Sequence, residues 1–175
     1  MRMTSIVCMT VLLAAAPALA QDPMTSAAKG TLALIKGNIV KAADQMSEEN
    51  YAFKATPDVR SFGQIIGHVA NANYMICSSA TGAANPSKDV DIEKTKATKA
   101  DLTKALAESF VFCDAQFDAL TPAKAAEVVD LFGMKMPRLN ALQVNTAHDF
   151  EHYGNIVTYM RLKGMVPPSS QKGGM

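Results

Sequence analysis

Only three histidines occur in the 175 residues, His68, His148 and His152. Two of them stand i, i+4 in the run Asn145-Thr146-Ala147-His148-Asp149-Phe150-Glu151-His152. On a helix that spacing sets the side chains about 40° apart on one face, so both imidazoles can converge on one ion. Neutral imidazoles suit Zn, Ni, Cu or Fe. Three of them leave at least one coordination position open, which is the arrangement of catalytic rather than structural sites. An ion held there acidifies a water or polarises a carbonyl. His68 lies in an apolar stripe with Phe62, Ile65, Ile66, Val69, Ala72 and Ile76. It supplies a third ligand if that face meets the helix carrying the other two. HxxxH is a weak motif by itself, and histidines packed and hydrogen-bonded in a core remain the alternative.

The same helical geometry selects residues that would orient imidazoles or line a pocket. Relative to His148, Asn155 and Tyr159 lie about 20° to either side, and Asn145 and Glu151 about 60° away on opposite sides. Glu151 is the nearest carboxylate for a base, and Asn71 has a comparable place beside His68. Asp149 points about 100° away and Arg161 farther round still. No Ser/His/Asp set, glycine-rich phosphate loop or pair of carboxylates is present. The 11 methionines, among them Met134, Met136, Met160 and Met165, have no fixed spacing and read as core filling rather than as copper ligands.

The elements that must position these residues are helical. Met24–Met46 carries Leu32, Ile35, Ile39 and Ala42 at three- and four-residue steps. A second helix begins at Ser61, where Ser61 and Gln64 form a capping box, and ends near Thr81-Gly82. Residues 83–99 are polar and read as a loop. Thr98 and Asp101 resemble another capping box, and Leu102, Leu106, Phe110, Cys113, Phe117 and Leu120 mark a third helix. Residues 122–129 are compatible with a short helix, and 128–137 read as an extended return. A last helix spans Arg138–Lys163, with Gly164 past its end and Pro167-Pro168 forbidding continuation. The fold class is therefore all-α, a four-helix bundle with a long connection between helices 2 and 3.

Residues 1–20 read as an address. Arg2 opens the segment, Ile6–Ala16 is apolar, and Ala18-Leu19-Ala20 is a small-x-small cleavage pattern. The apolar run falls short of the roughly 20 residues that cross a bilayer, and Pro17 interrupts it. Residues 21–175 then form a single exported domain without a membrane span, most simply in a bacterial periplasm. Cleavage removes only Arg2 among charged residues and leaves equal numbers of acidic and basic side chains. That balance argues against nucleic acid as a partner, which demands a basic face. Of the 3 cysteines, Cys8 leaves with the address. Cys77 and Cys113 then form one disulfide in an oxidising compartment, or stay as two buried thiols.

The segment Phe62–His68, the His148-x-x-x-His152-Tyr153-Gly154-Asn155 run and the close Tyr159-Met160-Arg161-Leu162-Lys163-Gly164-Met165-Val166-Pro167-Pro168 resemble the DinB/YfiT-like family of metal-dependent proteins. The resemblance covers nearly all of residues 21–175. It implies a four-helix bundle in which His68, His148 and His152 hold one divalent ion, zinc, nickel or iron. Members do not share one reaction; some transfer or isomerise substrates with a low-molecular-weight thiol. The expectation is a metal-dependent hydrolase or transferase acting on a small molecule of unknown identity. A non-catalytic metal-binding or partner-binding bundle is the alternative. Relatives are often dimeric, and the third helix is apolar over a wide arc including Val111 and Phe112. A homodimer is expected to cover it, unless the 83–98 loop does so within one chain.

Overall fold

The structure, a computed structural model, describes residues 22–172. The segment read as a cleaved address, residues 1–20, lies outside them. Four long helices make the bundle: α1 (Pro23–Gln45), α2 (Phe62–Thr81), α4 (Lys99–Asp118) and α6 (Arg138–Leu162). Two short helices, α3 (Ile92–Thr95) and α5 (Pro122–Ala126), lie in the connections. Strands β1 (Val128–Leu131) and β2 (Met134–Pro137) pair antiparallel, with Val129 opposite Met136. Each long helix packs on two others, in the cyclic order α2, α4, α1, α6.

The apolar stripes read from the sequence are the core. Leu32, Ile35, Ile39 and Ala42 of α1 meet Phe62, Ile66, Val69 and Ile76 of α2 and Leu106, Phe110 and Phe117 of α4 in one buried cluster. Helix ends follow local chemistry. Asp22 caps α1 by accepting from the Met24 amide at 3.0 Å. Both halves of the Ser61–Gln64 box form, at 2.8 and 3.2 Å, which fixes where α2 starts and so the phase of His68 along it. At α4 the box is only half made: Thr98 accepts from the Asp101 amide at 3.1 Å, but the Asp101 carboxylate takes the Thr98 hydroxyl rather than a backbone amide. Gly82 and Gly164 end their helices with φ of 77° and 70°, a conformation that costs glycine little.

Two parts depart from the sequence reading. The connection expected to be all loop contains α3, and the return over 128–137 is a true hairpin, so a two-stranded sheet accompanies the helices. Cys77 and Cys113 are joined as a disulfide between α2 and α4, with Cα atoms 5.6 Å apart. Among the described residues no helix is long and apolar enough to cross a membrane.

Candidate metal centre

His68 sits in the first half of α2, and His148 and His152 flank the midpoint of α6. The relative phase of these helices is set at the far end, where the Arg138 guanidinium donates to the Ala80 carbonyl at 2.9 Å and pairs with Glu127 at 2.6 Å. The three imidazoles meet where α2 and α6 pack. The Nε2 atoms of His68 and His148 are 3.2 Å apart, and those of His152 and His148 are 3.0 Å apart. One ligand atom from each histidine lies within 4.8 Å of the other two.

Burial first, then neighbouring positive charge, lowers the affinity of all three rings for protons. His68 is shifted down by burial and by the Arg60 guanidinium, and His148 by burial and by His68. His152 is pushed down to about 4 by burial and by its two partner imidazoles. The rings are thus neutral near pH 7, with lone pairs available.

This donor set fits a divalent ion. Around a tetrahedral zinc with bonds of 2.0–2.1 Å, ligand nitrogens stand about 3.3 Å apart, close to the two separations found here. Neutral rings that each turn a lone pair inward repel one another, and a cation shared among them removes that repulsion. Among the described residues no fourth His, Cys, Asp or Glu joins the cluster.

The outer nitrogens are supported unequally. His68 Nδ1 faces the Glu93 carboxylate at 3.3 Å, and the other oxygen of Glu93 accepts from Arg60 Nε at 2.9 Å. The Asn155 amide lies 3.4 Å from His152 Nδ1. His148 Nδ1 is buried and has no hydrogen-bond partner among the described residues. A cavity of about 650 Å³ opens beside the cluster, lined by Arg60, Ile65, Glu93, His152, Asn155 and Tyr159. That volume suits a small molecule. Tyr159 builds its wall: the hydroxyl donates to the Arg60 carbonyl at 2.5 Å, and the ring packs edge-on against Phe53 at 5.7 Å.

The sequence-selected residues divide. Asn155 and Tyr159 stand at the site. Glu151 is exposed and makes no contact with an imidazole, although its negative charge favours protonation of His68 and His148. Asn71 reaches no histidine; it accepts from the Ile92 amide at 2.9 Å and donates to Asp91 at 2.8 Å, holding the start of α3. Asn145 turns into the core, where it donates to Asn73 at 2.8 Å and to Asp149 at 3.2 Å. Asp149 does point away from the cluster, but it is fully buried, and burial raises its carboxyl well above the ordinary range. Glu93 and Arg60 were missed. Both lie in segments without periodicity. The available signal was Gly67, a glycine inside an apolar helix next to His68, which often marks a close approach.

A helical bundle with three histidines converging between two helices, beside a small-molecule cavity, defines a class of candidate metal-dependent proteins. The chain belongs to the DinB superfamily, whose profile matches residues 32–156. A DinB-like protein from Bacillus cereus has a similar fold, with a TM-score of 0.71 at 17% identity over 82% of this chain and 95% of that one. A DinB-like protein from Bacillus subtilis gives 0.63 at 18% identity, over 80% and 93%. No curated protein matches the sequence.

Proposed function

We propose that this chain is an exported metal-dependent enzyme that holds one divalent ion, zinc, nickel or iron, on His68, His148 and His152. In this reading it acts as a hydrolase or transferase on a small molecule seated in the adjoining cavity. The carrying observation is the convergence of three neutral Nε2 atoms with no fourth protein ligand among the described residues, next to a space large enough for a substrate. When bound, the ion supplies Lewis acidity toward a carbonyl or a water. The chain's own residues do the rest. Asn155 supports His152, Tyr159 holds the Arg60 segment as a wall, and Arg60 sets a fixed positive charge at the cavity beside Glu93. The Arg60 charge also helps to keep the imidazoles unprotonated.

Export and self-association belong to the same reading. The segment before Gln21 has the pattern of a secretory signal. Val111 on α4 stays 65% exposed, apolar surface of a kind that a two-fold dimer covers. The deciding experiment is the metal content of untagged protein recovered from its own compartment, by elemental mass spectrometry. About one divalent ion per chain, and an N-terminus at Gln21, are expected. A metal-free preparation that also fails to take up added zinc, nickel or iron sinks the metal reading. An uncleaved N-terminus removes export, and a monomer mass in light scattering at micromolar concentration removes the dimer.

A further inference from the structure

The long connection between α2 and α4 crosses over α2 at one point, and the crossing is tight. A Cβ placed on Gly67 would stand 2.7 Å from the Glu93 Cα and 3.0 Å from the Glu93 amide nitrogen. Only a residue without a side chain lets the two backbones come so near. The crossing segment is pinned immediately before that contact. Asn71, one helical turn along α2, takes the Ile92 amide and holds the Asp91 carboxylate. Ile92 itself is buried at 4% exposure. The result is a carboxylate delivered to the outer nitrogen of His68, one residue after Gly67 in the chain. Glu93 is mostly covered, with its side chain 18% exposed, and its second oxygen is held by Arg60. None of this is required to close a loop, because a polar connection of this length can run over the surface.

We propose that Glu93 is a positioning residue of the metal centre: its carboxylate accepts the Nδ1–H of His68 and thereby fixes the tautomer that turns a bare Nε2 toward the ion. Imidazole ligands commonly give their second N–H to a carboxylate, which sets the ring's orientation and raises its basicity. Here Gly67 and Asn71 bring the carboxylate to the ring and Arg60 keeps it from turning away. In the absence of Glu93 the ring proton is free to move to Nε2. There His148 Nε2, at 3.2 Å, would accept it, and the nitrogen would be lost as a ligand. Among the described residues His148 and His152 have no carboxylate in that role, so His68 is the ligand whose state the protein dictates most firmly.

The affinity arm of the test rests on the three-histidine reading; the tautomer arm does not. Long-range proton–nitrogen NMR spectra of metal-free protein at pH 8, where the rings are neutral, report the tautomer of His68. Wild type is expected to show Nδ1–H, and Glu93→Ala to shift the population toward Nε2–H. Competition against a chelator, with zinc as the probe, is expected to show zinc binding about 10–100-fold weaker in Glu93→Ala. Glu93→Gln leaves one oxygen to serve two donors and should fall between. Circular dichroism identifies folded variants, and Glu93→Gln carries the test if the alanine variant fails to fold. A wild-type His68 in the Nε2–H form overturns the proposal. So does a folded variant with an unchanged tautomer and zinc affinity within about twofold of wild type. If wild type takes up no zinc, the tautomer alone decides.

Discussion

Around His68 and around Cys77 the same helix meets its neighbours in opposite ways. The two residues are about 180° apart on α2 at 100° per residue. At Cys77 the helix is sealed: the side chain is fully buried and bonded to Cys113 of α4, with Ala80 and Phe117 also buried nearby in the core. At His68 the side chain is 25% exposed, ionisable groups gather, and the packing leaves a cavity beside the neighbouring helix. A cluster of partly buried imidazoles costs stability, since ring nitrogens are taken from water without full hydrogen bonding in return. The covalent tie sits on the face where no chemistry is built. The helix therefore carries its stabilisation and its reactive groups on separate sides.

The sharpest way to break this comparison is to remove a ligand. His148→Ala should abolish stoichiometric metal uptake, with a loss exceeding the roughly 10–100-fold expected for a group that only supports a ligand. Elemental analysis after dialysis reads it, and unchanged metal content would refute the site. The opposite face is probed by Cys77→Ala with Cys113→Ala. The bridge spans a sequence separation of 36, and its loss should lower unfolding free energy by about 3–4 kcal/mol in a urea titration. Metal stoichiometry should hold wherever the variant remains folded. A variant that loses metal while its stability is unchanged would show that the two faces are not separate.

Acid and base should act on different residues. In metal-free protein the three histidines bind protons less readily folded than unfolded. Their contribution is present above the ordinary value of 6.5 and is lost as pH falls from there toward about 4, the value for His152. Asp149 has the reverse sign. Its raised carboxyl keeps a proton in the fold, so stability declines as pH rises from its ordinary 3.8 through the elevated folded value. Asp149→Asn should remove that decline and leave the acid-side loss intact, as read from urea midpoints between pH 4 and 8. The smallest effect is expected at the wall. Tyr159→Phe forfeits one hydrogen bond to the Arg60 carbonyl and should cost about 1 kcal/mol with metal content retained.

Periodicity carried the sequence reading where the chain is helical. The stripes of α1, α2 and α4, the capping box at Ser61, the stop at Gly164 and the convergence of His148 with His152 all follow from 3.6 residues per turn. His68 could be assigned to an inward face but not to a partner helix by that means; the family resemblance supplied the pairing. Glu93 and Arg60 stayed hidden because tertiary contacts place them: one backbone crossing at Gly67, two hydrogen bonds to Asn71 and an ion pair between them. Asn145 shows the opposite failure. Its angle from His148 was right, but a wide helix face meets several neighbours, and Asn73 across the core competes for its amide.

The bond between Cys77 and Cys113 also sorts the chain topologically. It closes residues 77–113 into a ring, and Asp91, Ile92 and Glu93 lie on that ring. Arg60, Gly67 and His68 hang from one tail, and His148 and His152 from the other. With every helix melted, an oxidised chain still keeps Glu93 on a tether fastened at both ends, so returning it to α2 requires closing only a short span. The two histidines of α6 have no such leash, and their return closes a longer loop at a larger entropic cost. Assembly of the three-histidine cluster is governed by the return of that C-terminal tail rather than by the crossing segment.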